Sequence, residues 1–67
     1  MQAIFEIQAA TNAARSRLND GSLATRVEAG KIQVVRVTYP DGSKSVVTPV
    51  SDWMPIADVC QYLQTIQ

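Results

Sequence analysis

The amino-acid sequence predicts a single small α+β domain over residues 1–67, in which two helices flank an antiparallel β-hairpin or a three-stranded sheet. Three observations predict this fold class. Apolar residues recur at helical spacing at both ends of the chain, β-branched residues are concentrated in the middle, and glycines separate the segments. A chain of 67 residues has room for only one hydrophobic core. The element order is αββα, or αβββα if the segment before the hairpin is also a strand.

The first predicted element is a helix over residues 2–18. Its apolar residues recur at spacings of three and four and so share one face: Ala3, Ile7, Ala10, Ala14 and Leu18. Gly21 follows shortly after, and a glycine just past a periodic segment is typical of a left-handed C-terminal cap. We therefore expect the helix to end there.

The middle of the chain predicts β-structure. Residues 23–29 alternate weakly between apolar and polar side chains before Gly30, which fits either a short edge strand or a connection. Residues 31–39 are rich in β-branched side chains and form the clearest predicted strand. The run Tyr39-Pro40-Asp41-Gly42 suits a type I turn followed by a glycine bulge. Residues 44–50 would return as the partner strand, and Pro49 marks its end or an edge position.

A second, amphipathic helix is predicted at the C-terminal end. Ser51 or Asp52 would cap it, and Pro55 is tolerated in its first turn. Its apolar stripe consists of Ile56, Val59, Cys60, Leu63 and Ile66. Cys60 is therefore expected to be a buried and unreactive core residue.

Composition argues against catalytic and cofactor chemistry. The chain has no histidine and one cysteine, so it lacks an intrachain disulfide and the ligands that zinc, copper or iron need. The carboxylates are scattered, and Cys60 has no histidine to act as its base. We expect no enzymatic activity, no catalytic residues, no metal, no cofactor and no small-molecule substrate.

Charge and hydropathy narrow the choice of partners. Six basic residues balance six acidic ones, which disfavours strong nucleic-acid binding. No apolar run reaches the roughly 18 residues of a bilayer crossing, and no signal peptide is evident, so a cytoplasmic protein that does not bind membranes is expected. Because 46% of so short a chain is hydrophobic, self-association or a place in a larger assembly is expected to supplement its core.

Five residues are candidates for a partner interface. Four cations fall in the predicted β region and would form a basic hairpin face: Arg26, Lys31, Arg36 and Lys44. The alternative is that they are ordinary solvated strand residues. Trp53 lies beside the second helix and would either pin the helix start to the sheet or anchor a partner.

Taken in order, these features resemble the W-type head-to-tail joining proteins of lambda-like phages. The resemblance rests on the alanine-rich first helix (Ala9-Ala10, Ala13-Ala14-Arg15, Leu18), on Gly21, on the turn at Asp41-Gly42, and on Val50-Ser51-Asp52-Trp53 and Gln61-Tyr62-Leu63. It implies two helices around one hairpin, and a ring of copies below the portal that completes the packaged head and offers a platform for the tail. It also implies a place in the host cytoplasm or the virion. The route to the hairpin over residues 23–30 is longer than the family's.

Two other interpretations belong to different functional classes. If residues 23–29 are a strand, the order becomes that of double-stranded RNA-binding domains. Those modules place clustered lysines at the start of the last helix, where this chain has Asp52-Trp53-Met54-Pro55. A small adaptor or inhibitor that binds a host protein through its sheet edge or Trp53 is the third interpretation.

Overall fold

The computed structural model describes residues 2–66, with side chains from residue 4 onward. The elements are α1 (Gln2–Leu18), β1 (Leu23–Glu28), β2 (Lys31–Thr38), β3 (Val46–Pro49) and α2 (Ile56–Thr65). The strands form one antiparallel sheet in the order β1-β2-β3. The α+β fold is therefore confirmed in its three-stranded form, because the ambiguous segment before the hairpin is the edge strand β1.

Helix α1 presents the predicted apolar face to the sheet. Ile7 and Ala14 are buried, and Ala10 and Leu18 are half-buried against the core. The side chain of Ala3 lies outside the described residues. Thr11 is buried on the same face, where its hydroxyl donates to the carbonyl of Ile7 at 2.7 Å and so leaves no polar atom unpaired.

The cap of α1 is Asn19, and the expectation of a cap at Gly21 is wrong. Asn19 has a left-handed φ of 55°. Its N–H donates to Ser16 O at 3.3 Å, and the N–H of Asp20 donates to Arg15 O at 3.0 Å. This pair of bonds is a Schellman motif, which satisfies carbonyls at the helix end. Asparagine visits the left-handed region more readily than other residues with a Cβ, so the helix ends before the glycine is reached.

A two-residue turn joins β1 to β2, and a longer loop that begins with a turn joins β2 to β3. Ala29 and Gly30 join β1 to β2 with φ values of 52° and 76°, as in a type I′ turn. In the second turn, Gly42 has a φ of 77° and donates to Tyr39 O at 3.1 Å, which confirms the predicted turn. Strand β3 is shorter than the predicted strand over residues 44–50. It begins only at Val46, so Lys44 lies in the loop before it. It ends at Pro49, as expected.

Strand β2 is the centre of the fold. Residues that pair directly across antiparallel strands point to the same face of the sheet, and Val34 lies opposite Thr25 while Arg36 lies opposite Leu23. The core joins this face to both helices: Ile7, Ala14, Leu23, Ile32, Val34, Val59 and Leu63. Both helices thus pack on one face of the sheet. Burying each large aliphatic side chain contributes about 1.5–3 kcal/mol.

The chain remains attached to β2 after β3 ends. The N–H groups of Val50 and Ser51 both donate to Val34 O, at 2.8 and 3.2 Å, which is the pattern of a β-bulge. Met54 then exchanges two backbone hydrogen bonds with Ile32, at 2.8 and 2.9 Å. Residues 51–53 therefore bow out from the sheet opposite the single residue Gln33.

Helix α2 begins later than expected, because the chain stays bonded to β2 as far as Met54. Pro55 occupies the N-cap position, and no side chain caps the helix. The hydroxyl of Ser51 instead accepts the N–H of Val34 at 3.1 Å, and Asp52 is exposed. Ser51 and Asp52 are held in the bulge and so cannot cap a helix that begins at Ile56.

The apolar stripe of α2 packs as predicted, with one difference. Val59 and Leu63 are fully buried, and Ile56 and Ile66 pack against the core. Cys60 packs against the core but is only half-buried, at a shallow groove between α1 and α2, so the expectation that it is buried is wrong. The stripe faces the small residues of α1 at this position, and these are too short to cover Cys60 completely.

Two arginines of α1 tie distant parts of the chain together. Arg17 donates to the carbonyls of Leu63 and Ile66, at 2.5 and 2.9 Å. These carbonyls lie at the end of α2 and have no partner within the helix. Arg15 Nε donates to Leu23 O at 2.6 Å, at the start of β1.

Asp20 organises the connection between α1 and β1. One carboxylate oxygen accepts the hydroxyl and the backbone N–H of Ser22, and the other accepts two guanidinium N–H groups of Arg36, the closer at 2.9 Å. The hydrogen bonds from Ser22 and then from Arg36 stabilise the charged form. They lower the pKa of Asp20 from 3.8 to about 2.

We expect replacement of Ala29 to test the type I′ turn. Ala29→Asn should raise the unfolding free energy by about 1 kcal/mol, because asparagine adopts positive φ more easily than alanine. Ala29→Val should lower it by a similar or larger amount, because a β-branched residue is strained there. Urea denaturation of the three proteins measures both changes. Equal stabilities would show that Ala29 does not adopt this turn.

We also expect part of the acid sensitivity of the fold to come from Asp20. Its folded-state pKa lies below the ordinary value, so its charge stabilises the fold above about pH 4, and that contribution is lost as the pH falls toward 2. Asp20→Asn should therefore flatten the fall in unfolding free energy over this window, measured by urea denaturation at each pH. Asp41→Asn, in the exposed second turn, is the matched control and should follow the wild-type curve.

Candidate functional site on the open face of the sheet

The structure separates the four cations that were expected to form one basic face. Arg26 lies opposite Gln33 and Lys31 lies opposite Glu28, so both are on the side away from the helices. Arg36 lies opposite Leu23, on the helix side, where it pairs with Asp20. Lys44 lies in the turn before β3. The four cations therefore do not share one face. Side chains alternate between the two faces along a strand, and Lys31 and Arg36 are five positions apart on β2, so they point to opposite faces.

Two of the predicted interface residues do come together. The guanidinium carbon of Arg26 lies 5.2 Å from the centre of the Trp53 ring, which is a cation–π contact. These two side chains belong to the side of the sheet opposite the helices, which we call the open face. Its other members are Ala24, Glu28, Lys31, Gln33, Val35, Val37, Val47 and Pro49.

Gln33 links the strands across the open face. Its side-chain oxygen accepts Nε and Nη2 of Arg26, at 2.9 and 2.6 Å, and its amide nitrogen donates to Ser51 O at 3.0 Å. Gln33 is 6% exposed, and both of its polar ends are bonded. A buried polar group with all its partners is stable in place. This network therefore fixes Arg26 over the bulge that carries Trp53.

Valines adjoin the network on the open face. Val35 is 3% exposed and lies directly between Ala24 and Pro49 of the neighbouring strands. Val47 is 44% exposed and lies opposite Val37, which is half-buried. The open face thus joins a half-buried tryptophan, an exposed arginine and a strip of aliphatic side chains.

This combination of side chains suits contact with another protein. Tryptophan and arginine are the residues most enriched among those that dominate binding energy at protein interfaces. The hydrogen bonds from Arg26 to Gln33 hold the arginine in a defined conformation before any partner arrives. Little side-chain entropy is then lost on binding.

Sequence reasoning missed Gln33 and Val47. A signal for Gln33 was present, because a glutamine in the middle of a run of valine and isoleucine breaks the apolar pattern of β2. Val46 and Val47 are identical residues next to each other, so the sequence does not distinguish them. Only the register of β2 with β3 shows that Val47 faces away from the helices.

Within residues 2–66, no three acidic or cysteine side chains gather as metal ligands would. Neither helix described is both long enough and apolar enough to cross a bilayer.

Comparison with known proteins found no match to a protein-family model, to a curated protein or to a solved structure.

Trp53 is the single tryptophan of the chain, so its fluorescence reports on the open face. We expect Arg26→Ala to make Trp53 more accessible, because the guanidinium no longer covers its ring. The emission maximum should shift to longer wavelength, and acrylamide quenching should increase about two-fold. Loss of the cation–π contact should lower the unfolding free energy by about 0.5–1 kcal/mol.

Lys31→Ala is the control for this experiment, because Lys31 is exposed on the same side of the sheet. It should leave both fluorescence properties unchanged. Equal effects of the two substitutions would contradict a specific contact between Arg26 and Trp53.

Proposed function

We propose that this chain is a non-enzymatic assembly protein that binds another protein through the open face of its sheet. The observation that carries the proposal is the position of Trp53, which Arg26 and Gln33 hold at the surface beside the valines of β2 and β3. A monomer gains little by ordering such a side chain at its surface. An interface gains a rigid aromatic anchor surrounded by aliphatic contacts that exclude water.

In its specific form, the proposal follows the resemblance to head-to-tail joining proteins, with a portal-type ring as the partner and the host cytoplasm or the virion as the location. The proposal is linked to the resemblance through Val50-Ser51-Asp52-Trp53, because this run of the sequence forms the bulge that carries Trp53. Strand β1 is an addition to the single hairpin that the resemblance implies.

A nucleic-acid-binding module is the second candidate, because the chain has the element order α1-β1-β2-β3-α2 that this alternative requires. Charge disfavours it. The start of α2 carries Asp58 and no cation, and Arg36 is paired with Asp20. Titration with duplex RNA at physiological salt separates the candidates, because submicromolar affinity would favour the nucleic-acid module over the assembly protein.

Neighbouring valines of β3 provide a matched test of the open face. Val46 and Val47 are 46% and 44% exposed, but they point to opposite faces of the sheet. We expect Val47→Glu to weaken binding to a purified portal ring of a lambda-like phage at least ten-fold, because it places a charge among the contacts. Val46→Glu should change binding less than two-fold. Analytical ultracentrifugation of the mixtures measures both.

Two outcomes would contradict the proposal. Equal losses from the two substitutions would show that the open face is not the docking surface. Failure of the wild-type chain to bind portal rings would contradict the portal as the partner.

A further inference from the structure

Strand β1 leaves part of its backbone without hydrogen bonds. The N–H of Val37 donates to Ser22 O at 2.8 Å, and this fixes the alternation that follows along the strand. Residues 24, 26 and 28 direct their backbone groups at β2, while residues 23, 25 and 27 direct theirs outward. The carbonyl of Leu23 is taken by Arg15. The outward groups of Thr25 and Val27 have no partner among residues 2–66.

The other edge of the sheet is protected. The hydrogen bond from Val50 N to Val34 O sets the alternation of backbone groups along β3. The backbone groups of Val47 and Pro49 therefore point away from β2, toward the free edge. Pro49 has no N–H to offer, and proline on an edge strand blocks pairing with further strands. An added strand would therefore pair at β1.

We propose that β1 pairs antiparallel with β1 of a second copy of this chain, with Val27 opposite the partner's Val27. Charge complementarity selects both the partner and the register. In this register Arg26 lies directly opposite the partner's Glu28, and Glu28 lies opposite the partner's Arg26. Opposite charges at directly opposed strand positions stabilise the pair.

The two neighbouring registers lack this advantage. If Thr25 lay opposite the partner's Val27, Arg26 would face the partner's Arg26, and like charges directly opposed are destabilising. If Thr25 lay opposite the partner's Thr25, Arg26 would face the partner's Ala24, and the pairing would extend to the carbonyl of Leu23 that Arg15 already occupies. The strand is therefore self-complementary about Val27 alone.

The shape of this edge fits the same register. Val27 is 62% exposed, and pairing would cover it with the partner's Val27. Between α1 and β1 runs a groove lined by Gln8, Thr11, Asn12, Arg15, Ala24 and Thr25. The turn of the partner, made of alanine and glycine, would lie at this groove and is small enough to enter it. The pair forms one six-stranded sheet with both open faces on the same side.

Cysteine cross-linking tests the register. Opposed residues of a hydrogen-bonded antiparallel pair have Cα atoms about 5.5 Å apart, within the range that a disulfide spans. In a Cys60→Ala background, Val27→Cys should give at least ten-fold more disulfide dimer under mild oxidation than Thr25→Cys. In the proposed register the two copies of residue 25 are about 14 Å apart, because they are offset by four residues. Equal yields, or a higher yield at residue 25, would overturn the proposal.

Charge reversal tests the salt bridges without oxidation. Glu28→Lys places the introduced lysine opposite the partner's Arg26, and we expect it to raise the dimer dissociation constant at least ten-fold in sedimentation experiments. Asp58→Lys makes the same charge change on the exposed side of α2 and should leave the constant within two-fold. Val47→Glu should also leave it unchanged, which separates this proposal from docking on the open face. A wild-type chain that remains monomeric up to about 1 mM would overturn the pairing.

Discussion

The backbone pairing of Ile32 with Met54 is the interaction on which the rest of this structure depends. Its two hydrogen bonds extend the pairing of β2 beyond the bulge, so the central strand is bonded on both sides along most of its length. On the helix side, this holds Ile32 in the core and brings the chain to Pro55, where α2 begins. On the other side, it forces residues 51–53 outward and places Trp53 on the open face. The core and the candidate site therefore share one structural cause.

Local sequence patterns predicted the elements whose formation is a local matter. Helix α1, strand β2 and the turn at Gly42 follow from residue periodicity and turn chemistry, and the structure has each of them. The caps were predicted wrongly at both helices. At α1, Asn19 takes the left-handed position before Gly21 is reached. At α2, the cap depends on where the preceding chain is held. Ser51 suits an N-cap in isolation, but its hydroxyl oxygen instead accepts the N–H of Val34 in β2. No short-range pattern reports that competition.

The candidate site was predictable in its residues but not in its arrangement. Arg26 and Trp53 were both singled out, yet their contact spans the whole width of the sheet and depends on the buried Gln33. Arg36 was grouped with Arg26 in error. The two-residue turn pairs Glu28 with Lys31, so partner positions add up to an odd number. An even-numbered residue of β1 and an even-numbered residue of β2 must then point to opposite faces, as Arg26 and Arg36 do. An Ala-Gly pair is a weak signal for a type I′ turn. Because this turn was not predicted, the register of β1 with β2 could not be predicted either.

The same turn gives Arg26 a position between two surfaces. It aligns Arg26 and Glu28 on the open face at the free edge of the sheet, two positions apart, with Val27 between them on the other side. Nε and Nη2 of Arg26 are bonded to Gln33, and Nη1 has no hydrogen-bond partner in the part of the chain that the structure describes. A guanidinium can stack on Trp53, bond Gln33 and still meet a carboxylate in its plane, whereas the single ammonium of lysine cannot do all three. Pairing at the edge and docking on the open face would thus both use the side chain of Arg26, which Gln33 already holds in place.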